Sequence, residues 1–594
     1  MSTLATFTDL VHDRAAELTD TVAHVFLRDT DGGTAPEQLT YAELDLQART
    51  IASRLQEYGA KGQPVLLLYP PGPDFLTAFI GCLYAGAIAV PAPLPGGRGQ
   101  QLQRVTGIIK DTDARLVLSD TANAPDVSLW LAMAGIEDTV CLATDTSGCG
   151  DPDDWRRPRT GPDDLALLQY TSGSTSDPRG VMVSQGNLMA NMAVIGRGMA
   201  TTSDDRFGGW LPHFHDMGLI AHLLHPLWLG SSSVQMAPTS FLKRPIRWLQ
   251  AVGEYGVTVG GGPNFCYDLC LRRISDAQAA ELDLSSWRLA LNGAEPVRAA
   301  TLEAFAQKFA PAGLRLETQF PCYGLAEATL MVSGGPAGQR HTERVVDAKE
   351  LEQGTVRASR PGHPGRTVVS SGLADGFDVR IVDSVRGAEL PPDAVGEIWL
   401  KSDSVAQGYW GCPEESAETF HATLEARDTA ERLTGYLRTG DLGTVADGQL
   451  YITGRLKETI ILNGRNLAPQ DIEWAVRELG PEFAQGTSAA FTVETGSERL
   501  VIVQEVRTGA TEWEEMRHIA HEIQALIGRD FNIPAGNVLL VRPGTVRRTT
   551  SGKIQRSRMR KLFLEGEITG QYEVLEPSVR ALVRADELQR LGDW

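Results

Sequence analysis

Over the first 330 residues of the chain, short apolar runs alternate with segments in which apolar residues recur at helical spacing. The segment QLTYAELDLQARTIASRLQEYG carries apolar residues at helical spacing, with a candidate capping box at Thr40 and Glu43 and a terminating Gly59. The apolar runs PVLLLYPPG and ARLVLSD predict buried strands. Helices that alternate with such strands are typical of βαβ units, so the pattern predicts an α/β fold built on a largely parallel sheet.

The most hydrophobic stretch, residues 75–95, is interrupted by Gly81, Gly86 and Pro91. Because a membrane span needs about 20 uninterrupted apolar residues, we interpret this stretch as a buried helix, a turn and a short strand. The N-terminal segment Phe7–Leu18 has helical spacing and lacks the basic and apolar regions of a secretion signal. We therefore expect neither secretion nor stable membrane insertion.

The pattern changes in the second half of the chain. Residues 335–372 are polar, glycine-rich and weakly periodic, which indicates a surface insertion. The segment beyond it alternates around turns and predicts an antiparallel β subdomain. From about 470 to 562 the order helix, two strands, helix, strand predicts a compact α/β unit. We place a domain boundary near Lys457, between a large N-terminal domain of residues 1–456 and a small C-terminal domain of residues 457–594.

Length and composition limit the number of domains, the binding partners and the cellular compartment that we expect for this chain. A chain of 594 residues is too long for one hydrophobic core. Its formal charge of -20 argues against binding nucleic acid or anionic membranes with the whole surface, although a local basic patch remains possible. Seven scattered cysteines suggest a reducing compartment, so we expect a cytoplasmic protein. Cys266 and Cys270 lack the further ligands of a metal site and are interpreted as helix packing.

A loop rich in Gly, Ser and Thr follows the apolar run that ends at Leu168. Its hydroxyl groups and glycine-freed backbone N–H groups can cradle phosphate oxygens. The residues concerned are Thr171, Ser172, Gly173, Ser174 and Thr175. The Gly-x4-Gly-Lys-Ser/Thr spacing of a P-loop is absent, and Arg179 stands where a lysine is wanted. A solvated turn is the commoner origin of such a loop taken alone.

Two further motifs carry candidate chemistry. LPHFHDMGL contains His213, His215 and Asp216, which suit a metal fragment or a general base, although core or gate histidines are commoner. PCYGLAEATL places Tyr323 and Glu327 four residues apart. A flat aromatic ring beside a lone carboxylate suits base stacking and magnesium binding, but the motif is short.

Two C-terminal segments add a carboxylate and a cluster of cations. YLRTGDLG holds Asp441 in a tight turn, where its carboxylate can accept both ribose hydroxyls or can merely form an Asp turn. The run from Arg542 to Lys561 has eight basic residues and no acidic one, and its small residues present Lys553 on a turn. A solvated face is the usual origin of such a charge run.

The joint order of these motifs resembles the adenylate-forming superfamily, which includes acyl-CoA synthetases, nonribosomal adenylation domains and luciferases. Residues 171–180 resemble its phosphate loop, YGLAE its adenine and magnesium motif, YLRTGDLG its ribose motif, GRLKE its hinge and TSGKIQR its catalytic-lysine loop. WLPHFHDMGLIAHLLHPL, GGPNFCYDLC, GRNLAPQDIE and the insertion are similar to the fatty acyl-AMP ligases in particular. The resemblance implies a large multi-subdomain N-terminal domain, with parallel α/β sheets and a β subdomain, and a small mobile C-terminal α+β domain.

The resemblance also implies a reaction and its participants. A fatty or related aliphatic carboxylic acid attacks the α-phosphate of ATP, with Mg²⁺ as cofactor, to give acyl-AMP and pyrophosphate. The acyl group then passes to the phosphopantetheine thiol of an acyl carrier protein. An acyl-CoA synthetase and a catalytically idle scaffold that binds acyl groups or nucleotides are the alternatives. No nucleic-acid partner is implied.

By the same resemblance, Lys553 is the catalytic lysine, His215 positions the carboxylate and Glu327 binds magnesium. Lys457 resembles the hinge on which the small domain turns. Residues 171–175 correspond to the phosphate clamp, and the remaining nucleotide-binding residues are Asn292, Gly293, Ala294, Glu295, Tyr323, Gly324, Ala326, Asp441 and Arg455. Tyr323 would stack on adenine beside the stretch Asn292 to Glu295, and Asp441 with Arg455 would hold the ribose.

The sequence also departs from the family pattern at three places. Arg179 replaces the usual lysine, VVSSGLADG matches the subgroup loosely, and VRRTTSGK lacks a proline. The arginine is common in fatty acyl-AMP ligases and supports that subgroup. We further hypothesise that the basic run docks the acidic carrier protein, with Arg556 and Arg558 in contact.

Overall fold

The computed structural model describes residues 6–30, 33–96, 100–171, 178–363, 365–429, 431–462, 465–480, 483, 486–506, 513–549 and 552–583. The α-helices are α1 Phe7–Glu17, α2 Tyr41–Glu57, α3 Pro73–Ala85, α4 Gln100–Thr112, α5 Ala124–Met133, α6 Gln185–Met199, α7 His225–Leu229, α8 Pro238–Lys243, α9 Ile246–Glu254, α10 Asn264–Arg273, α11 Asp276–Ala280, α12 Ala299–Phe309, α13 Ala348–Glu352, α14 Pro413–Phe420, α15 Pro469–Arg477, α16 Trp513–Leu526 and α17 Arg556–Leu564.

The strands of the first half are β1 Val22–Thr30, β2 Gly33–Thr40, β3 Pro64–Leu68, β4 Ile88–Ala92, β5 Leu116–Ser119, β6 Val140–Ala143, β7 Leu165–Tyr170, β8 Gly180–Ser184, β9 Arg206–Gly209, β10 Ser232–Met236, β11 Val259–Gly262 and β12 Leu289–Asn292. Those of the second half are β13 Gln319–Gly324, β14 Met331–Gly334, β15 Glu343–Asp347, β16 Gly365–Val369, β17 Asp378–Val382, β18 Gly396–Lys401, β19 Ala422–Glu425, β20 Arg432–Ala446, β21 Gln449–Arg455, β22 Ile460–Leu462, β23 Arg465–Leu467, β24 Ser488–Glu494, β25 Glu498–Glu505, β26 Asn537–Val541 and β27 Tyr572–Val574.

Local sequence signals explain several of these boundaries. Thr40 and Glu43 form the predicted capping box at the start of α2, and Gly59 adopts a φ of 66° just after its end. Strand β3 is buried along its whole length, as its unbroken apolar run predicts. The hydrophobic stretch 75–95 forms α3 and β4, and none of the helices in the described part of the chain combines the length and apolar character of a membrane crossing.

Two largely parallel sheets form the first half of the molecule. One has six strands in the order β6-β5-β3-β4-β7-β8, and the other has eight in the order β14-β13-β12-β11-β9-β10-β1-β2. Each sheet changes direction at its edge, since β8 pairs antiparallel with β7 and β14 with β13. Helices α2 and α3 pack together between them, and a continuous apolar core runs through this region. The predicted α/β architecture is confirmed.

The segment after β14 contains more regular structure than its weak periodicity indicated. Strands β15 and β16 pair antiparallel around α13, and Val346, Leu351 and Val368 form a small apolar cluster with Tyr451 of β21. The insertion therefore packs a small apolar cluster against β20 and β21. Beyond it, β17, β18, β19, β20 and β21 form the predicted antiparallel β subdomain.

The C-terminal part of the chain forms separate apolar clusters. Strands β24, β25, β26 and β27 form one sheet, with α15 and α16 packed on one face and α17 on the other. The residues of both clusters lie after Lys457, in agreement with the elements predicted between 470 and 562. The division of the chain at Lys457 itself stays a prediction.

Among the described residues, four ion pairs connect the part of the chain after Lys457, the C-terminal unit, to the part before it, the large unit. Helix α15 contributes two of them, Glu478 just after its end contributes the third, and Arg465 contributes the fourth. They are Arg477–Asp268 at 2.7 Å, Arg366–Asp471 at 2.6 Å, the short Arg298–Glu478 contact, and Arg465–Glu352 at 2.7 Å. Two of the partners from the large unit, Glu352 and Arg366, belong to the insertion. Charge pairs thus join the two units at several points.

Candidate functional site

A cavity of about 540 Å³ lies where the two parallel sheets, the β subdomain and the C-terminal unit meet. The carboxyl ends of β7, β12 and β13 open into it, which is the usual ligand-binding edge of such sheets. The loop predicted to clamp phosphate begins here, because Thr171 lines the cavity directly after β7. This loop joins two antiparallel strands, so it has no following helix whose N-terminus could bind phosphate as in a P-loop.

Tyr323, Asp441 and Arg455 form a hydrogen-bonded group on one side of the cavity. The Tyr323 hydroxyl donates to Asp441 Oδ2 at 2.8 Å, and Arg455 Nε donates to Asp441 Oδ1 at 2.8 Å. Strand pairing fixes this geometry, since Asp441 of β20 lies opposite Arg455 of β21. Burial and the nearby Asp441 carboxylate raise the pKa of Tyr323, so its hydroxyl stays protonated. Tyr323 and Arg455 line the cavity, whereas Asp441 does not line it and links the two side chains through its carboxylate.

Glu327 lies on a 3₁₀ turn, Ala326–Ala328, that follows β13. Its Oε1 accepts a hydrogen bond of 2.9 Å from the hydroxyl of Tyr409. Burial raises the pKa of Glu327, although this hydrogen bond and the charge of Arg455 oppose the shift. A buried carboxylate of this kind gains stability from a cation in the cavity. Sequence reasoning missed Tyr409, which is separated from Glu327 by 82 positions and joins it only through folding.

His215 and Asp216 bring a second carboxylate to the cavity. His215 Nδ1 lies 2.6 Å from Asp216 Oδ1, which also accepts the Met217 N–H at 2.7 Å. Burial works against ionisation of Asp216, but His215, Lys553 and this N–H together hold its pKa below the ordinary value. Asp216 also caps a π-helix, Met217–Leu224, whose Ala221 lines the cavity further inside.

Lys553 reaches the cavity from the C-terminal unit. Its N–H donates to Thr549 Oγ1 at 3.0 Å, and its carbonyl accepts the Thr549 N–H at 2.8 Å, which closes a tight turn. Gly552 adopts a φ of 87°, and a Cβ atom there would lie 2.7 Å from the ring of Phe265. Glycine is therefore required for the turn to reach the large unit. Burial and Arg455 lower the pKa of Lys553, while Asp216, Glu295 and Asp441 oppose the shift.

The other predicted residues fall into three groups. Gly293, Ala294, Gly324 and Ala326 line the cavity, as does Lys457 at its exposed rim. Asn292 and Glu295 do not line it. The Asn292 side chain donates to Asn264 Oδ1 at 3.2 Å, and Glu295 accepts the Phe265 N–H at 2.5 Å. Ser172, Gly173, Ser174 and Thr175 lie outside the described residues.

Apolar side chains form the inner wall of the cavity. Methionines contribute three of them, and such flexible thioether side chains adapt to irregular apolar ligands. The wall residues are Met199, Met217, Ala221, Leu291, Leu330 and Met331. Together with the polar rim, this wall gives a cavity that can hold a charged group at one end and an aliphatic chain at the other.

Comparisons with known proteins agree with this geometry. The AMP-binding enzyme family matches residues 11–410. The chain is 40% identical to the medium-chain fatty acid–acyl carrier protein ligase JamA of Moorena producens, over 95% of this chain and 96% of that protein. It is 34% identical to 4-hydroxyphenylalkanoate adenylyltransferase of Mycobacterium tuberculosis, over 94% and 92% of the two chains. The crystal structure of a fatty acyl-adenylate ligase from L. pneumophila with acyl adenylate and pyrophosphate matches with a TM-score of 0.74 and 35% identity, over 96% and 98%.

Glu295 makes stability depend on pH in a way that can be measured. Burial raises its pKa from 4.5 to about 7, so the folded protein holds the carboxyl proton more tightly than the unfolded chain does. Stability from this group is present below pH 4.5 and is lost as the pH rises through about 7. We expect Glu295→Gln to gain roughly 2 kcal/mol relative to the wild type between pH 5 and pH 8.

Thermal denaturation of both proteins at a fixed scan rate across this pH range measures the effect. Glu303→Gln is the matched control, because Glu303 is an exposed glutamate of α12. A difference in melting temperature between Glu295→Gln and the wild type that stays constant with pH would contradict the assignment.

Proposed function

The chain belongs to the AMP-binding enzyme family, and we propose from this premise that it activates a medium-chain fatty acid with ATP and loads it onto an acyl carrier protein. The carboxylate oxygen attacks the α-phosphorus, the bond from the α-phosphorus to the bridging oxygen breaks, and pyrophosphate leaves. The thiol of the carrier's phosphopantetheine then replaces AMP on the acyl carbon. The names of similar proteins, a fatty acid–acyl carrier protein ligase among them, support this activity.

One observation carries the proposal: Lys553, His215 and the pair Tyr323 and Glu327 converge on a single cavity from three distant parts of the chain. Carboxylate activation by ATP develops negative charge on the α-phosphate and needs preorganised cations and donors there. A partly buried ammonium group and a histidine that lies 2.6 Å from Asp216 line the same cavity and meet that need. The apolar wall behind His215 supports an aliphatic tail, and each buried methylene contributes about 0.8 kcal/mol.

In the nucleotide part of the site, Tyr323 stacks on the adenine and Asp441 accepts the ribose hydroxyls. Arg455 holds Asp441 in place, because the hydrogen bond of 2.8 Å fixes one carboxylate oxygen. Gly293, Ala294 and Gly324 supply backbone surface close to the base. Asn292 supports this wall through its bond to Asn264, and Glu295 acts behind it on the helix that carries Phe265.

Magnesium fits the residues present. The described residues contain no group of three or more His, Cys, Asp or Glu side chains that could hold a metal alone. Mg²⁺ is commonly held by one or two carboxylates together with substrate phosphates. Glu327, whose buried carboxylate is held by Tyr409, is the residue that would hold it, and the ion would neutralise charge on the phosphates. The family supports ATP as the co-substrate.

Lys553 acts on the reacting atoms. We assign its ammonium group to the carboxylate and α-phosphate oxygens that approach each other in the reaction. His215, oriented by Asp216, positions the carboxylate on the opposite side. Lys457, at the exposed rim beside β21, is the proposed pivot by which residues 457–594 move between adenylation and transfer. Free thiols at all seven cysteines support the proposed cytoplasmic location.

Activity of the purified protein with a panel of carboxylic acids tests the proposal directly. We expect ATP-dependent pyrophosphate release with medium-chain fatty acids, transfer to a holo acyl carrier protein, and little transfer to coenzyme A. Hydroxyphenylalkanoic acids belong in the panel, because a relative is named for them. Preferred transfer to coenzyme A would identify an acyl-CoA synthetase, and no pyrophosphate release with any acid would identify a scaffold.

Lys553→Ala tests the catalytic lysine. We expect the rate of acyl-adenylate formation to fall by about 10²- to 10³-fold, since one preorganised electrostatic partner is lost. Binding of ATP, measured by calorimetry, should change little. Lys561→Ala is the matched control, because Lys561 is an exposed lysine on the next helix. Near-normal pyrophosphate release by Lys553→Ala would overturn the assignment.

The basic run from Arg542 to Lys561 does not present all of its charges to solvent, contrary to what its sequence suggests. Arg556 is largely buried and pairs with Glu473 at 2.6 Å and with Glu458 at 2.5 Å, so its charge is already neutralised. Reversing this charge would destabilise the C-terminal unit and disturb both half-reactions. Arg560 and Lys561, on the exposed face of α17, are the better candidates for contact with an acidic carrier.

Charge reversal at these two positions separates docking from adenylation. We expect Arg560→Glu with Lys561→Glu to lower the rate of transfer to the carrier about ten-fold at low salt and less at high salt, with adenylation unchanged. Arg517→Glu, an exposed arginine of α16, serves as the control. Equal losses in both half-reactions would exclude α17 as the docking face.

A further inference from the structure

Arg104 lines the cavity although no motif singles it out. It lies on α4, and its guanidinium donates a hydrogen bond of 3.3 Å to the carbonyl of Tyr170, the last residue of β7. Tyr170 and Thr171 line the same wall, and Arg179 does so from the other side of the loop. Arg104 therefore stands at the start of the segment assigned to phosphate binding.

The charges of the other cavity arginines are already compensated. Arg179 pairs with Glu415 at 2.8 Å, Arg438 with Glu397 at 2.9 Å and Arg455 with Asp441 at 2.8 Å. Arg104 has no carboxylate within ion-pair distance among the residues that the structure describes. Burial alone lowers the pKa of its guanidinium, with no acidic neighbour to oppose the shift.

Nearby acidic groups are engaged elsewhere. Asp111, on the same helix, accepts the Tyr170 hydroxyl at 2.5 Å. The Arg179 guanidinium lies over the ring of Tyr409, 5.7 Å from its centroid, and is held there by Glu415. The arginine that replaces the family's loop lysine is thus neutralised, and the uncompensated charge on this wall belongs to Arg104.

A largely buried guanidinium without a counter-ion is costly, and its N–H groups need acceptors. Phosphate oxygens match the fork of an arginine and form charge-assisted hydrogen bonds with it. We propose that Arg104 binds the β- and γ-phosphates of ATP and the pyrophosphate that leaves, in place of a loop lysine. This proposal rests on the function proposed above, because it assigns the phosphate end of the same site.

Arg104→Gln provides the test, since glutamine removes the charge and keeps a polar N–H donor on a shorter side chain. Binding of ATP, inorganic pyrophosphate and AMP is measured by calorimetry in the presence of Mg²⁺. Loss of one charge-assisted contact should weaken ATP and pyrophosphate about 10- to 100-fold and leave AMP within about two-fold. Arg104→Lys should retain part of the affinity for pyrophosphate.

Lys110→Gln is the matched control, because it removes one positive charge from the exposed face of the same helix. It should bind all three compounds as the wild type does. Equal weakening of ATP and AMP by Arg104→Gln, or no weakening of either, overturns the proposal and leaves Arg104 a structural tie between α4 and β7.

A measurement on the wild-type protein covers the case in which the variant does not fold. Phenylglyoxal modifies accessible arginines, and mass spectrometry reports the extent of reaction at Arg104. Pyrophosphate, but not AMP, should protect Arg104; equal protection by both, or by neither, contradicts the proposal. These outcomes are independent of the acyl substrate. A wild type that binds pyrophosphate through Arg104 but activates no carboxylic acid refutes the proposed function alone.

Discussion

A lysine ammonium group removed from water is unstable unless negative charge surrounds it, and the organisation of this molecule follows from that constraint. Lys553 belongs to one packed unit, whereas Asp216, Glu295 and Asp441, the carboxylates that attract it, belong to the other. The Lys553 ammonium group therefore lies near these three carboxylates only through the contact between the two units. Phosphate and carboxylate groups of bound substrates supply further negative charge beside the Lys553 ammonium group.

Partly exposed ion pairs connect the two units. Ion pairs such as Arg477–Asp268 and Arg465–Glu352 are only partly shielded from water, so salt screens them and each contributes modestly. The apolar clusters of the two units remain separate. The insertion supplies Glu352 and Arg366 to these ion pairs. Its apolar cluster holds the two charged residues in fixed positions opposite β23 and α15.

Local patterns in the sequence predict the elements and the main motifs, but not the partners that only folding brings together. The capping box at Thr40 and the buried run of β3 are short-range signals, and the motifs around Glu327 and Asp441 are compact enough to recognise. Glu295 lies in the predicted nucleotide-binding stretch Asn292 to Glu295, yet its side chain accepts a hydrogen bond from the Phe265 N–H and does not line the cavity. The sequence around Arg556 predicts an exposed charge. In the structure Arg556 pairs with Glu458 and Glu473, which lie 98 and 83 residues away in the sequence.

The π-helix at Met217–Leu224 connects the polar and apolar ends of the cavity. His215 and Asp216 stand at its start, and Ala221 reaches the inner wall one turn later. A π-helix contains an extra residue in each turn compared with an α-helix. Losing one residue here would restore α-helical winding, and because an α-helical turn needs fewer residues, Ala221 would keep nearly its present direction relative to His215. This segment can therefore shorten by one residue while the polar and apolar ends of the cavity keep their relative orientation.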